Sequence, residues 1–307
     1  KKIFGWETKA SSKEYKRFLT ELSVELKDYL EKNNLKDHVL IHVSDEPNFS
    51  MLYSYSKASK LIHKLYKGYK IVPYCPRCGT ALSSHEVAQG YKDVKDVSVF
   101  VRFKIKDREN AYFLAWTTTP WTLPSNVALC MNPKEDYVEI IAEDGATYIL
   151  AEALAPKLFE NYQTVSVKKG KEYEYAEYIP LFDYAQGTFK EKAYYVVCDN
   201  YVTLTDGSGI VHIAPAFGED DARVGRDNDL PFLQLVDEQG KFSPETGEWA
   251  GTFVKDADKY VLIDLDQRGL LFSAPNYEHS YPFCWRCDTP LIYYARETWF
   301  VKMTAVK

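Results

Sequence analysis

Eleven residues, 116–126, combine three consecutive threonines with two tryptophans and two prolines and read WTTTPWTLPSN. They follow an apolar run, residues 112–116, that predicts a buried strand. The threonines therefore lie where a strand ends, and Pro120 and Pro124 exclude both a continuous ladder and an ordinary helix after them. The predicted result is a rigid connection that presents hydroxyl groups beside aromatic side chains, which suits a small polar pocket. The alternative is a threonine-rich edge strand followed by a proline turn.

The composition is that of an ordinary globular protein. The chain has 307 residues, of which 46% are hydrophobic and 27% charged, and its length predicts about two domains. No apolar stretch approaches the roughly 20 residues of a membrane span, and no signal peptide opens the chain, so we expect a cytoplasmic protein without a membrane partner. The net charge of −6 disfavours non-specific binding of nucleic acid. Candidates for a local basic patch, or for simple solvated charges, are Lys168, Lys169, Lys171, Arg223 and Arg226.

Four of the six cysteines form two distant pairs, Cys75 with Cys78 and Cys284 with Cys287. The spacing within each pair lets both thiolates face one ion, and two such pairs bind one Zn²⁺ in tetrahedral sulfur coordination. However, 205 residues lie between the pairs, where a gap of roughly 15–20 is usual. One shared structural zinc is the preferred interpretation, because it would hold together the two ends of a very long loop. Separate sites, redox-active thiols and metal-free ribbons are the alternatives.

Between the cysteine pairs, short β-rich runs alternate with turn residues, which predicts a mainly β fold with some α/β elements. The predicted strands lie at residues 97–105, 111–116, 137–141, 147–151, 193–198 and 210–213. Helices are fewer, and we place them at residues 154–161 and 222–228. A closed or nearly closed β-barrel with helices around it is the expected form.

Residues 1–66 have a different pattern. Ser11 and Glu14 form a capping box ahead of apolar residues at helical spacing, and a short apolar strand and a second helix, from about 50 to 66, follow. Asp45 and Glu46 come directly after that strand, a position at which carboxylates are catalytic in an α/β barrel. Because the rest of such a barrel is missing from the sequence, we expect these two residues to cap the second helix instead.

Three stretches carry a resemblance to a known family: the threonine run, residues 207–221 with the sequence GSGIVHIAPAFGEDD, and residues 74–83 with the sequence YCPRCGTALS. Together they resemble the editing region of isoleucyl-tRNA synthetases, over about residues 65–307. Related leucine and valine enzymes share a threonine pair followed by Arg-Pro, whereas TPW stands here at residues 119–121, which favours the isoleucine type. The resemblance implies an inserted β-barrel editing domain on a zinc-binding base, with hydrolytic proofreading of Val-tRNA(Ile) as its activity.

The resemblance also implies roles for individual residues. The substrate would be valine esterified to the 3′ end of isoleucine tRNA, and water would be the nucleophile. Asp221 would accept the α-ammonium group, and His212 would face the amino-acid side chain or the terminal ribose; a helix cap and a packed strand residue are their structural alternatives. The other predicted site residues supply hydrogen bonds or walls: Thr117, Thr118, Thr119, Asn126, Trp116 and Trp121. No side chain stands out as a covalent nucleophile, so we predict positioning and electrostatic catalysis rather than an acyl-enzyme.

The first 66 residues instead resemble the carboxyl-terminal part of an uncharacterised family related to glycoside-hydrolase barrels, through the FGW sequence at residues 4–6 and the HVSDEP sequence at residues 42–47. The chain therefore looks chimeric, with a foreign fragment at residues 1–66, a zinc-knuckle base at 67–90 and 280–307, and an editing barrel at 91–279. The sequence contains neither ATP-handling signature of the synthetase class, so ATP would serve only the complete parent ligase. An inert zinc-containing tRNA-binding module and a carbohydrate-active fragment are the alternative functions.

Overall fold

The computed structural model of this chain describes Glu21 and residues 65–184 and 189–301. The chain divides into two compact units, Lys1–Lys70 with Arg296–Lys307, and Ile71–Ala295. The predicted helix–strand–helix of residues 1–66, including Asp45 and Glu46, lies outside the described residues except for Glu21, which is helical, and the start of a strand at Leu65.

Strands dominate the described part of the chain, which confirms the prediction of a mainly β fold. The strands are β1 (Leu65–Cys75), β2 (Thr80–Ala81), β3 (Tyr91–Val97), β4 (Val99–Lys104), β5 (Ala111–Thr117), β6 (Ala128–Met131), β7 (Asp136–Ala142), β8 (Thr147–Ala151), β9 (Tyr162–Lys169), β10 (Tyr195–Cys198), β11 (Ile210–Ile213), β12 (Leu271–Ser273), β13 (Asn276–Pro282) and β14 (Ile292–Val301). The α-helices are α1 (Ser84–Ala88), α2 (Ala155–Leu158), α3 (Glu219–Asp227) and α4 (Val254–Gln267). Short 3₁₀ helices cover Pro120–Ser125, Glu152–Leu154, Gly170–Tyr173 and Pro244–Trp249.

The largest sheet in the described ranges contains nine strands, in the order β10-β6-β11-β5-β8-β7-β9, with β4 and β12 attached beside β5. Strand β5 is the branch point. Its full length pairs with β4, its first residues pair with β8, and Trp116 near its end pairs with Val211 of β11. The threonine run thus leaves the sheet at the place where the two branches diverge.

The sheet curls until β4 and β10 meet through residues 176–179. On one side, the Ile179 N–H donates to the Lys104 carbonyl, which extends β4; on the other, the Val196 N–H donates to the Ala176 carbonyl, which extends β10. A continuous ring of backbone pairing therefore runs through β4, β5, β11, β6, β10 and this segment. The predicted barrel form is confirmed, and closure leaves these strands without a free edge.

Side-chain alternation determines what faces the barrel interior. Phe103 of β4, Phe113 and Ala115 of β5, and Leu129 of β6 belong to one buried cluster. Thr117 follows Ala115 by two positions and His212 pairs directly with Leu129, so both side chains face the same interior. The intervening residues of these strands face outward and form separate clusters.

The helices differ from the predictions in extent. The helix expected at residues 154–161 is wrong beyond Leu158: Phe159 adopts extended backbone angles, which bring its ring against Tyr148 and Phe272. Helix α3 begins at Glu219, three residues before its predicted start. Helix α4 was not predicted, although Val254, Ala257, Val261 and Leu265 recur at helical spacing and form its buried face. Among the described helices, none has the length and apolar character needed to span a membrane.

A two-stranded ribbon brings the ends of the long insertion together. Strand β3 pairs with β13 in antiparallel register from Tyr91 opposite Pro282 to Val97 opposite Asn276. Next to this ribbon in sequence lie the two cysteine pairs, one at the β1–β2 turn and the other just after β13. The chain thus leaves and re-enters the region of the cysteines on neighbouring strands.

Candidate functional site

The threonine run folds as a strand end followed by a rigid turn, as predicted. Strand β5 ends at Thr117, and Pro120 occupies the first position of the 3₁₀ helix, where its missing N–H removes no hydrogen bond. The next N–H, of Trp121, donates to Asp258 Oδ1 at 2.9 Å. Every residue of this 3₁₀ helix is buried, so the loop is fixed on all sides.

Three threonine hydroxyls and one imidazole form a continuous chain. Thr117 Oγ1 lies 3.3 Å from Thr119 Oγ1, which lies 3.2 Å from Thr122 Oγ1. Thr122 Oγ1 in turn lies 3.0 Å from Nε2 of His212. Hydrogen bonds in such chains polarise one another, so the four groups act as a unit. We call them the hydroxyl–imidazole chain. Sequence reasoning missed Thr122, although its three-residue spacing from Thr119 places both on one face of a 3₁₀ turn.

His212 is an uncharged histidine in the barrel interior. Only 6% of the residue is exposed, and burial lowers its pKa to about 4, so the ring is neutral at physiological pH. Nε2 contacts Thr122, but within the described ranges Nδ1 has no hydrogen-bond partner. Buried polar atoms are almost always paired, so this unpaired nitrogen is unusual and is a candidate acceptor for a ligand.

Asp221 is placed by helix α3 beside the end of β11. Its Oδ2 accepts a hydrogen bond from the Ala214 N–H at 2.9 Å, two residues beyond His212. Burial raises the pKa of this carboxyl to about 7, and the nearby charge of Asp220 acts in the same direction. Gly218 makes room for it, since a Cβ there would lie 2.7 Å from the Asp221 Cγ. A cationic group brought next to Asp221 would restore its charge.

The structure separates the remaining predicted site residues. Thr118 lines a different cavity, of about 350 Å³, together with Asp258 and Lys255 of α4. Trp116 faces outward from β5, because strand side chains alternate, and its ring meets Tyr277 edge-on at 5.9 Å. It therefore does not share the face of Thr117, and its role as a pocket wall stays a prediction.

Trp121 and Asn126 lie in or directly after the 3₁₀ helix that carries Thr122. The Trp121 ring packs edge-on against Phe217 at 5.0 Å, and its indole N–H is buried without a hydrogen-bond partner among the described groups. The Asn126 amide donates to the Ala128 carbonyl at 2.8 Å and accepts from the Tyr178 hydroxyl at 2.6 Å. Asn126 thus ties the end of the threonine loop to β6 and to the segment that closes the barrel.

The four cysteines of the two pairs converge on one point. The Sγ atoms of Cys75 and Cys287 lie 3.5 Å apart, those of Cys78 and Cys287 3.4 Å, and those of Cys78 and Cys284 3.9 Å. All four sulfurs lie within 4.8 Å of one another. Tetrahedral zinc with Zn–S bonds of about 2.3 Å places its sulfurs about 3.8 Å apart, so the residues present fit such an ion.

The predicted basic patch is largely neutralised by acidic neighbours. Lys169 lies 2.8 Å from Asp136, and Lys171 lies 2.5 Å from Glu174. Arg223 contacts Asp199 at 2.7 Å. Arg226 is exposed, and Lys168 lies over the Tyr173 ring. These charges stabilise their own elements, and they do not form one unopposed basic surface.

Comparison with known proteins finds two kinds of relative. The chain is 57% identical over 243 residues to the isoleucine–tRNA ligase of Clostridium acetobutylicum, and that of Clostridium kluyveri gives the same identity and length; in each case 79% of this chain and 23% of the ligase are covered. The isoleucine–tRNA ligase of Bacillus thuringiensis (strain Al Hakam) is 50% identical over 244 residues, with the same coverage. Isoleucine–tRNA ligases are thus homologues of this chain, which confirms the predicted resemblance, and the chain spans 23% of their length.

The family model of the glycoside hydrolase 123 catalytic domain matches residues 1–123. This confirms the glycoside-hydrolase resemblance of the first residues. A match of 243 residues in a chain of 307 must begin at or before residue 65. It therefore overlaps the glycoside-hydrolase match beyond residue 66.

Two solved structures also resemble the chain. The crystal structure of GlLeuRS-CP1 gives a TM-score of 0.47 at 14% identity, covering 61% of this chain and 100% of that one. The cytosolic leucyl-tRNA synthetase editing domain of P. knowlesi gives 0.45 at 12% identity, covering 62% and 99%.

Proposed function

We propose that this chain hydrolyses the ester bond of mischarged Val-tRNA(Ile), releasing valine. The observation that carries this proposal is the 57% identity to isoleucine–tRNA ligases. The matched segment covers 243 residues, or 79% of the chain. Wherever a segment of that length begins, it includes the middle of the chain, where the threonine loop, His212 and Asp221 lie. The buried hydroxyl–imidazole chain, with its open nitrogen, gives that homology a chemical site.

The chemistry follows from the groups that the ester presents. Its free α-ammonium group needs an anionic acceptor, and Asp221 is suited to this role because the ammonium would lower the carboxyl pKa and so restore its charge. Threonine hydroxyls donate to the ester carbonyl and orient a water. In this proposal Thr117 and Thr119 supply these hydroxyls from the His212 side of the loop, and Thr118, which lines the cavity beside α4, is given no contact with the ester. Water attacks the carbonyl carbon, the ribose oxygen leaves with a proton, and no acyl-enzyme forms.

The need for such a site lies in the similarity of two amino acids. Isoleucine and valine differ by one methylene group, which a hydrophobic pocket distinguishes by only about 1–3 kcal/mol, the limit known for isoleucine enzymes. A second site that admits valine and excludes isoleucine raises the selectivity. Trp121 and His212 are the proposed size-limiting walls, because both are buried and contribute rigid rings.

The proposed partner is the 3′ acceptor end of isoleucine tRNA, in the cytoplasm. The parent would be an isoleucine–tRNA ligase whose ATP-dependent activation of isoleucine requires regions beyond this sequence. We further propose that Cys75, Cys78, Cys284 and Cys287 bind one structural Zn²⁺ at the base of the insertion, and that the chain is chimeric, with residues 1–66 foreign to the ligase.

The test is release of valine from Val-tRNA(Ile) carrying labelled valine, with the full chain as catalyst. Turnover above the spontaneous rate is expected. Binding of tRNA without turnover would favour the inert zinc-containing module, and cleavage of a glycoside in place of the ester would favour the carbohydrate-active alternative.

A further inference from the structure

Thr122 connects the threonine loop to His212, and its single hydroxyl proton has three neighbours. Its Oγ1 lies 2.7 Å from the Thr119 carbonyl oxygen, 3.2 Å from the Thr119 Oγ1 and 3.0 Å from His212 Nε2. The carbonyl oxygen can only accept, and it keeps a second lone pair beside the one that receives the Thr122 backbone N–H. Because the carbonyl contact is the shortest, the Thr122 hydroxyl donates there.

This assignment determines the tautomer of His212. With its proton committed to the carbonyl, the Thr122 hydroxyl offers His212 only lone pairs, so Nε2 must carry a hydrogen and donate it. Burial lowers the pKa of His212 to about 4, and a neutral imidazole has one N–H. Nδ1 is therefore an unprotonated acceptor. It is buried, and it has no hydrogen-bond partner in the part of the chain that the structure describes.

An unpaired buried acceptor is costly, typically about 1–3 kcal/mol, and is retained where a ligand supplies the missing donor. We propose that Thr122 is a positioning residue that holds His212 in the Nε2–H tautomer, so that Nδ1 accepts a hydrogen bond from a neutral donor of the reacting ester. That donor is a ribose hydroxyl or the attacking water, since the ammonium group is matched to the anionic Asp221. The identity of the donor rests on the proposed function; the tautomer does not.

The tautomer is measured directly by ¹⁵N–¹H correlation through two bonds on the full chain, with the His212 signals assigned by their loss in His212→Gln. We expect a protonated Nε2 and an unprotonated Nδ1 in the wild type and in Thr122→Ser, which keeps the hydroxyl. In Thr122→Val, which has nearly the same shape, we expect a mixed or reversed tautomer. A protonated Nδ1 in the wild type, or an unchanged tautomer in Thr122→Val, would overturn the proposal whether or not the chain hydrolyses an ester.

The donor is identified by deacylation. We expect Thr122→Val to lower kcat on Val-tRNA(Ile) by about tenfold with little change in KM, and Thr122→Ser to restore it. If a ribose hydroxyl is the donor, this penalty disappears with tRNA that lacks the free hydroxyl of its terminal ribose; if water is the donor, the penalty persists. An unchanged kcat in Thr122→Val would contradict the positioning role, whereas a correct tautomer without any wild-type turnover would contradict only the proposed function.

Discussion

The cysteine cluster and the hydroxyl–imidazole chain are both groups of polar side chains, but one is closed and the other is open. In the cluster, four sulfurs surround a single point and present a complete tetrahedral ligand set. The hydroxyl–imidazole chain instead ends at His212 Nδ1, which has no hydrogen-bond partner among the described groups. Structural metal sites are closed, whereas sites that act on a substrate keep a position free. We therefore propose a stabilising role for the cluster and a chemical role for the barrel interior.

The largest effect is expected from breaking the closed site. Replacing Cys284 with Ser should abolish stoichiometric zinc and destabilise the chain by about 3 kcal/mol or more, because metal-binding free energy is also folding free energy. Elemental analysis and urea unfolding measure the two effects. Cys130→Ala is the matched control, since Cys130 is a buried cysteine outside the cluster. If Cys284→Ser keeps its zinc and its stability, the shared site is wrong.

The next effect concerns Asp221, which lies beside the end of the strand that carries His212. Asp221→Asn should slow deacylation of Val-tRNA(Ile) by about 100-fold, because a buried ammonium partner is lost while the Ala214 hydrogen bond has a replacement acceptor. Asp220→Asn serves as the control, since it removes the neighbouring charge, which is part of an exposed contact with Arg223. Equal rates for Asp221→Asn and the wild type would remove Asp221 from the site.

The free energy of unfolding should also depend on pH, because Asp221 and His212 both change their pKa on folding. The pKa of Asp221 is raised from 3.8 to about 7 on folding, so between these values the folded state binds more protons than the unfolded state. Its contribution to stability is therefore present at low pH and lost as pH rises towards 7. His212 acts with the opposite slope: its pKa falls from 6.5 to about 4, and stability is lost as pH drops through that window.

Urea unfolding from pH 4 to pH 8 separates the contributions of Asp221 and His212 to stability. Asp221→Asn should gain stability relative to the wild type as pH rises, and His212→Gln should gain it as pH falls. Parallel pH profiles for Asp221→Asn and the wild type would show that this carboxyl titrates normally in the folded chain.

The smallest effect is expected at Trp116. Because its ring faces outward against Tyr277, Trp116→Phe should leave deacylation within about threefold of the wild type and cost about 1 kcal/mol of stability through lost aromatic packing. The deacylation assay and urea unfolding check both values. A rate loss as large as that of Asp221→Asn would return Trp116 to the pocket.

Much of the barrel could be predicted because short apolar runs between turn residues report strands directly. The strands at residues 147–151 and 210–213 match their predicted bounds. The sequence did not predict where the helix at residues 154–161 ends or what its last residues contact. Phe159 leaves the helical conformation and packs against Tyr148 and Phe272, which are distant in sequence. Barrel closure through residues 176–179 depends on isolated backbone pairs that leave no periodic pattern in the sequence.

For the site, the residue types identified the threonine loop and His212 but did not predict the hydrogen bonds that join them. The threonine loop and His212 meet because strand alternation directs both into the barrel, which is predictable only once the pairing of His212 with Leu129 is known. Thr122 was overlooked because a 3₁₀ turn, rather than the strand, brings it back to Thr119. Trp116 lies on the face opposite Thr117, since adjacent residues of a strand point to opposite faces.

Discrimination between two esters tests the proposed proofreading most directly. The full chain is incubated with Val-tRNA(Ile) and Ile-tRNA(Ile) side by side, and the two deacylation rates are compared under identical conditions. We expect the valyl ester to be hydrolysed at least about tenfold faster, a difference of about 1.4 kcal/mol that lies within the contribution of one methylene group. Equal rates for the two esters, or no hydrolysis of either, would contradict a proofreading site in this barrel.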